Sequence, residues 1–574
     1  MTKQYVRLFT TQSVKSKYFS WGDAIALLVI LTLVSTGVWI AINNPQSIEG
    51  PEISLSPAAL PLYAALSLGR MAIAYVASLI FSLVYGRIAA YNLRSERILI
   101  PLLDILQSIP ILSFLPIVLL SFNAFLPEMI ASEASAVVLI FTSQVWNLTF
   151  AWFQAQTTIP KDLREASTIF QLNPWMKFRT LELPFGMISL IWNSMLSWAG
   201  GWFFLMAAEI FTVGVNDFRL PGLGAYLHEA SNQGNISAII WGLGTLVFLI
   251  VLLDQFFWRP LLAWSDRFKL DMTENDNPPQ SWFYNWLHSS WLYSFFLRIF
   301  LHPLLETIDA RMQIFYWRPK ADAVEKRSLF LYSILRILIV VMLVYGAFRA
   351  FQMLELVSIA DWFEISSGML ATTIRVMIAL LIALLWTIPV GVAIGTNPRL
   401  AAIFQPLVQI AASIPATALF PMLLLVLLKL PGGLSISAVV LMLLGTQWYL
   451  LFNIIAGASA IPQDLKYSAR LMGLKGWSQW TILILPSLFP YLITGAITAS
   501  GGAWNASIVA EYVQFSGKTY IANGIGATIA KATASGDYPL LLAATLSMVI
   551  VVVLINRFVW RPLYQTAESK YRME

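Results

Sequence analysis

Residues 159–184, IPKDLREASTIFQLNPWMKFRTLELP, form a polar, charged stretch between long apolar runs, and residues 461–486, IPQDLKYSARLMGLKGWSQWTILILP, repeat it. In both copies Ile-Pro-x-Asp-Leu opens the stretch 24 residues ahead of the closing Leu-Pro. Equal spacing in otherwise divergent sequence implies duplication of a whole unit, so the chain must fold as two similar halves. Each copy begins as a short amphipathic helix. Pro160 and Pro462 suit its first position, where a missing N–H costs nothing. Asp162 and Asp464 lie in its first turn, where the helix dipole favours negative charge. Leu163, Ala166, Ile169 and Phe170 make an apolar stripe, with Leu465, Leu471 and Met472 as the counterpart. A helix this short is marginal in water, so the stripe asks for a partner groove.

The apolar runs decide the solvent. Hydrophobic residues make up 58% of the 574-residue chain and charged residues 11%, with a mean hydropathy of +0.71. This places the chain in a bilayer, where about 20 apolar residues span the hydrocarbon. Spans are expected at about 23–42, 61–92, 100–125, 134–158, 185–210 and 236–257, and again at 329–351, 366–396, 401–430, 435–458, 487–512 and 538–558. The first run lacks a small-residue cleavage site and is read as a retained span. The expected fold is all-α and polytopic, with about twelve spans in two parallel six-span halves related by an axis along the membrane normal.

Charge sets the orientation. The net charge of +6 resides in short loops between spans and not on one nucleic-acid-binding face. Lys3, Arg7, Lys15 and Lys17 precede the first span, and Arg87, Arg94, Lys161, Arg164, Lys177 and Arg179 lie in loops of the same side. The opposite loops hold Glu49, Glu52, Glu128, Glu133, Glu355, Asp361 and Glu364. The positive-inside rule puts both termini and both duplicated stretches in the cytoplasm. The expected division is residues 1–258 for the first half, 259–328 for a linker and 329–574 for the second half. Within the linker, Trp282, Trp286, Trp291, Phe295, Phe296 and Phe300 alternate with Arg298 and Arg311, a mixture suited to a helix lying against lipid headgroups. Trp-Arg-Pro occurs at 258–260, 317–319 and 560–562; the outer two are expected to end the last span of each half.

The repeat extends well beyond the loops. Arg70 aligns with Arg375, Ser108-Ile109-Pro110 with Ser413-Ile414-Pro415, and Pro116 with Pro421. After a three-residue gap, Gly200 aligns with Gly502, Trp202 with Trp504, Ala208-Glu209 with Ala510-Glu511, and Gly222 and Gly224 with Gly524 and Gly526. Ionisable residues inside spans are costly and point to function. Arg70, Arg375, Glu209 and Glu511 fall at similar depth in the outer half of the membrane. They make either an anion-friendly path or an Arg–Glu pair that orients helices. Asn147, Asn193, Asn453 and Asn505 are weaker pathway candidates. Gly200, Gly201, Gly501 and Gly502 allow close backbone approach beside Trp202 and Trp504. Pro110, Pro116, Pro415 and Pro421 are expected to break the third span of each half, which a membrane tolerates where the freed backbone is buried or lines a cavity.

Enzymatic chemistry finds no support. The chain has no cysteine, and His228, His288 and His302 have no metal-ligand spacing. No Ser/His/Asp set is apparent. Ser516-Gly517-Lys518-Thr519 imitates the end of a phosphate-binding loop, but the required earlier glycine is Tyr512.

The duplicated stretch resembles the "EAA" loop, E-A-A-x3-G-x9-I-x-L-P, of bacterial ABC importer permeases. The first copy supplies Glu165-Ala166-Ser167, Gln171 at the glycine position, Leu181, and Leu183-Pro184. The second supplies Tyr467-Ser468-Ala469, Gly473, Leu483 and Leu485-Pro486. The first lacks the glycine and the second the glutamate, so coupling is open to asymmetry. The ordered set of Arg, Ser-Ile-Pro, coupling loop, Gly-x-Trp, Ala-Glu and Gly-x-Gly is similar to permeases of the nitrate/sulfonate/taurine group, which also import bicarbonate and related small anions. The resemblance implies a type I importer permease fold in a bacterial inner membrane. It implies a separate ATPase dimer that binds ATP and Mg and docks on residues 160–172 and 462–474, and an extracytoplasmic solute-binding protein. Two units that usually dimerise would here be fused. A 6+6-span secondary transporter explains the span count but not the duplicated loops; a membrane scaffold explains neither the loops nor the intramembrane charges.

Overall fold

A computed structural model describes residues 50–108, 110–123, 126–213, 216–268, 281–290, 299, 303, 306–307, 309–312, 341, 344–459, 461, 463–515 and 518–570. The expected spans at 23–42 and, for its first part, 329–351 lie outside the described residues. So do Trp291, Phe295, Phe296, Arg298, Phe300, His302, the Trp-Arg-Pro at 317–319 and the backbone of Ile109 and Pro462.

The first half comprises α1 (Leu60–Tyr91), α2 (Leu93–Ser108), α3 (Ile111–Asn123), α4 (Glu128–Thr158), α5 (Lys161–Ile169) and α6 (Leu183–Glu209). A hairpin of β1 (Thr212–Val213) and β2 (Asn216–Asp217) leads to α7 (Leu223–Asn232) and α8 (Ile236–Leu253). The second half repeats the order: α9 (Ile359–Thr396), α10 (Pro398–Ser413), α11 (Ala416–Leu427), α12 (Gly433–Ser459), α13 (Gln463–Leu471) and α14 (Leu485–Ala510). There follow the hairpin β3 (Tyr512–Phe515) and β4 (Lys518–Ile521), then α15 (Ile525–Ser535) and α16 (Tyr538–Ile555). Among the described residues seven helices are long and apolar enough to cross a membrane, or eight if the bent pair at residues 399–424 counts as one span.

Prolines shape the helices in two ways. The third expected span of each half is two helices, parted at Ile109-Pro110 and Ile414-Pro415, and the second pair bends by 77°. A residue before proline is driven out of the helical region, and Ile414 is indeed extended (φ −74°, ψ 116°). Pro116 and Pro421, expected to be breaks as well, lie inside α3 and α11 instead. Each stands at the sixth position of its helix, past the free N–H groups of the first turn, so one carbonyl of that turn lacks its intrahelical donor and the helix still continues. Elsewhere the backbone widens to meet a proline. Four five-residue π turns, Phe178–Glu182, Asp254–Trp258, Trp480–Ile484 and Asn556–Trp560, each end two residues before a proline. In the first, Leu183 N–H donates to Phe178 O. A π turn absorbs the donor that the proline lacks and lets the helix continue. The Trp-Arg-Pro at 258–260 and 560–562 therefore does not end a helix: the helices run on to Ser265 and Ala567.

Each half is built on one three-helix stack, α1–α4–α6 and α9–α12–α14. Equivalent layers are filled by different volumes. In the first half the Trp152 ring lies over two bare backbones: a Cβ on Gly86 would sit 2.8 Å from it and one on Gly186 2.6 Å. In the second, Ile454 replaces the indole and Leu488 the second glycine, both fully buried, and only Gly391 stays bare. One large side chain over nothing has become two medium ones. The halves then interlock reciprocally. The α3 residues Ile111, Leu112, Leu115 and Leu119 belong to a core made mostly by the second half, and Ala418 of α11 belongs to the core of the first. Contacts of α3 with α14, α2 with α16 and β1 with α15 are matched by α11 with α6, α10 with α8 and β3 with α7. Such reciprocity is the mark of a two-fold-related pair.

The Trp152 layer makes a compensation that can be measured. Gly186→Leu alone overpacks against the indole and is expected to cost roughly 1–3 kcal/mol. Adding Trp152→Ile should recover most of that loss. Thermal unfolding of the two single variants and the double in detergent would show it; a double variant no better than Gly186→Leu would disprove the compensation.

Candidate functional site

The four intramembrane charges come together as two pairs. Arg70 Nη1 donates to Glu209 Oε1 at 2.8 Å, and Arg375 Nη1 to Glu511 Oε1 at 2.7 Å. Both glutamates are fully buried. Their remaining lone pairs are met identically: Ser67 Oγ donates to Glu209 at 2.6 Å, and Thr372 Oγ1 to Glu511 at 2.8 Å. Gly224 N–H reaches Glu209 Oε2 at 2.7 Å, and Gly526 N–H reaches Glu511 Oε2 at 2.9 Å. The same hydroxyls accept from Leu223 N–H and Ile525 N–H, both at 3.0 Å. Each arginine also donates to a carbonyl just before Gly-x-Gly, Pro221 O at 2.9 Å and Asn523 O at 2.8 Å.

This arrangement accounts for the Gly-x-Gly element. The carboxylate caps the N-terminus of α7 or α15 from another helix, where free N–H groups and the dipole favour an anion. It lies so close that a Cβ on Gly222 would meet it at 2.3 Å, and one on Gly524 at 2.1 Å. Space, not backbone conformation, demands glycine, since both residues are fully extended. Sequence reasoning missed one member: Glu133 makes two further bonds to Arg70, at 2.7 and 2.6 Å. Ser435 takes its place beside Arg375, at 3.4 Å. The charges are thereby spent on one another.

The short helices α5 and α13 keep their apolar ends bare. Ile169 and Phe170 are 77% and 75% exposed, and Leu471 and Met472 are 89% and 76% exposed. Both helices close with the same pair of backbone bonds: Phe170 N–H to Ala166 O and Leu172 N–H to Ser167 O, matched by Met472 N–H to Ser468 O and Leu474 N–H to Ala469 O. The residue at the turn is left-handed, Gly473 at φ 69° and Gln171 at φ 50°. This is the glycine position of the loop, and Gln171 occupies it as the one non-glycine with positive φ among the described residues. Behind the first loop, buried Glu182 bonds Arg87 Nε at 2.9 Å and the Tyr91 hydroxyl. The aligned residues of the second half, Ile484, Val392 and Thr396, carry no such charges. The linker reaches only the first loop in the described residues, where Asp309 accepts from Trp175 Nε1 at 2.9 Å and pairs with Arg179. Trp477, the mate of Trp175, is 77% exposed. The linker helix Trp282–Ser289 packs Phe283 edge-on to Phe256 at 4.8 Å.

Two cavities adjoin where the halves meet, of about 60 and 120 Å³. Gly200, Gly502 and Pro415 line the smaller, and Gly502, Trp504, Asn147 and Asn505 the larger. Trp202 and Pro110 are buried and line neither. Arg70, Arg375, Glu209 and Glu511 line neither. Tyr449 and Phe204, which sequence alone did not single out, line both. Their signal lay in the glycines: a Cβ on Gly200 would lie 2.9 Å from the Tyr449 hydroxyl.

Comparison with known proteins agrees with this architecture. The family described as binding-protein-dependent transport system inner membrane component matches residues 78–257 and, a second time, residues 387–559. The bicarbonate transport system permease protein CmpB of Synechococcus elongatus is 30% identical over 190 residues, 33% of this chain and 65% of that protein. The nitrate import permease protein NrtB of the same species is 30% identical over 143 residues, 25% of this chain and 50% of that protein. The taurine transport system permease protein TauC of Escherichia coli is 27% identical over 143 residues, again 25% and 50%. The match thus spans between half and two-thirds of the length of these curated relatives. The chain belongs to the family of inner membrane components of binding-protein-dependent transport systems and carries that family's unit twice.

Proposed function

We propose that the chain is the complete transmembrane part of an ATP-driven importer for a small anion, with residues 1–258 and 329–574 as its two fused permease halves. The observation that carries this reading is the pair of coupling helices. Two short helices of equal construction, each ending in bare apolar side chains, are what a two-fold ATPase needs as docking points. An ATPase dimer holding ATP and Mg would seat Ile169, Phe170, Leu471 and Met472 in its grooves, from the cytoplasmic side. Its closure would move α5 and α13 and, through the π turns that follow them, α6 and α14 at the axis. An extracytoplasmic solute-binding protein would deliver the solute. Relatives named for nitrate, bicarbonate and taurine support a small anion as the solute class. A secondary transporter has no use for the paired bare helix ends.

In this reading Arg70 and Arg375 hold helices and do not touch solute. Breaking a buried charge pair from one side costs about 3–5 kcal/mol. Glu511→Gln, which keeps the hydrogen-bonding shape, is expected to lower the thermal stability of the purified chain while the solute concentration for half-maximal uptake stays within twofold. A tenfold change in that concentration at unchanged stability would place the arginine on the path instead.

Docking has its own test. Ile169→Glu with Leu471→Glu puts charge where an apolar groove is expected. Co-purification of the ATPase with the tagged chain should fall at least tenfold, and ATP-dependent uptake with it, while the chain itself melts within a few degrees of the unaltered protein. Uptake undiminished in the double variant, or uptake that persists without any ATPase, would remove the importer reading.

A further inference from the structure

The two axial cavities are mates under the internal repeat, and one has kept polar walls while the other has lost them. In the larger cavity the walls include Gln107, Ser143, Asn147, Thr498 and Asn505. The aligned residues of the smaller cavity are Ala412, Gly445, Tyr449, Leu196 and Phe203, and all five line it. Each polar side chain of one wall therefore faces an apolar or aromatic substitute in the other. Tyr449, which replaces Asn147, also fills part of the space its mate leaves open, and the smaller cavity is half the volume.

We infer that the larger cavity is the transmembrane recognition site for the solute, a small oxyanion held by neutral hydrogen-bond donors on one side of the axis only. This rests on the importer reading above and names the site within it. Asn505 is fixed as part of the frame: its Oδ1 accepts from Ile111 N–H at 2.5 Å and its Nδ2 donates to Gly501 O at 3.1 Å. The Ser143 and Thr498 hydroxyls give their protons to Ile140 O at 2.6 Å and Thr494 O at 3.1 Å. The amides of Gln107 and Asn147 and the hydroxyl of Ser500 make no bond among the described residues, yet none is a sealed polar group. They are free to donate to a guest. No carboxylate stands among the described lining residues to repel an anion. No arginine or lysine stands there to trap one, because Arg70 and Arg375 are matched elsewhere. A path must bind firmly enough for entry and weakly enough for exit, and neutral donors meet both demands.

Direct binding tests this apart from transport. The permease–ATPase assembly, without any solute-binding protein, would be dialysed to equilibrium against isotopically labelled nitrate, bicarbonate or taurine. Saturable binding of at least one of these is expected. Asn147→Asp, which keeps the size of the side chain and adds negative charge, should weaken it at least tenfold. Gln107→Ala with Asn147→Leu, which copies the apolar wall, should do the same. Ala412→Ser and Leu196→Met on the smaller cavity should leave it within twofold. Binding that neither polar-wall variant alters, a tenfold loss from the apolar-wall variants, or no saturable binding of any probe would overturn the assignment. Saturable, Asn147-dependent binding in an assembly that shows no ATP-dependent uptake would support the cavity and remove the importer reading alone.

Discussion

Each half hangs on one buried carboxylate. Glu209 and Glu511 sit at the ends of α6 and α14 with no access to solvent, and a carboxylate in that position is tolerated only if it is paired and hydrogen-bonded. Meeting that demand enlists α1 or α9 for an arginine and a hydroxyl, and the start of α7 or α15 for backbone N–H groups. It forbids side chains at Gly222 and Gly524. Three helices per half are thereby fixed to one another at a single point. The spread-out motifs Arg, Ala-Glu and Gly-x-Gly are one device seen in pieces along the chain. The charges are consumed in holding it, and neither cavity between the halves is lined by them.

Much of this was legible in the sequence. Equal spacing gave the duplication. The depth of Arg70, Arg375, Glu209 and Glu511 placed them level with one another, and Gln171 aligned with the glycine of the loop, where the backbone is left-handed. What could not be read follows from contacts between distant segments. Glu133 reads as an external-loop acid, and only the packing of α4 on α1 brings it to Arg70. Pro116 and Pro421 look like breaks as much as Pro110 and Pro415 do, until the helix starts are known. Trp152 and Ile454 align without apparent relation, because the glycine that admits the indole lies on another helix. The cavity residues were half visible: Asn147 and Asn505 stand out as polar, whereas Tyr449 and Phe204 look like any aromatic in a span.

The three kinds of position have diverged differently, and physics explains why. At the buried glutamates the halves remain interchangeable down to the hydroxyl, Ser67 in one and Thr372 in the other. A lone change there would strand a charge. In the stack, exchange is permitted provided volume is conserved, as Trp152 with Gly186 gives way to Ile454 with Leu488. At the axis neither rule holds, and Gln107, Ser143, Asn147, Thr498 and Asn505 face Ala412, Gly445, Tyr449, Leu196 and Phe203.

That last difference is closed to two identical copies and open to a fused chain. When two copies of one polypeptide meet at a two-fold axis, every substitution appears on both sides, so a polar wall must face a polar wall and a tyrosine must meet its own image. Joining the units frees each wall to change alone. One side then carries Gln107 and Asn147 where the other carries Ala412 and Tyr449, within a frame that is the same around both. The same freedom extends to the coupling loops, where Asp309 of the linker reaches Trp175 and Arg179 but Trp477 stays bare.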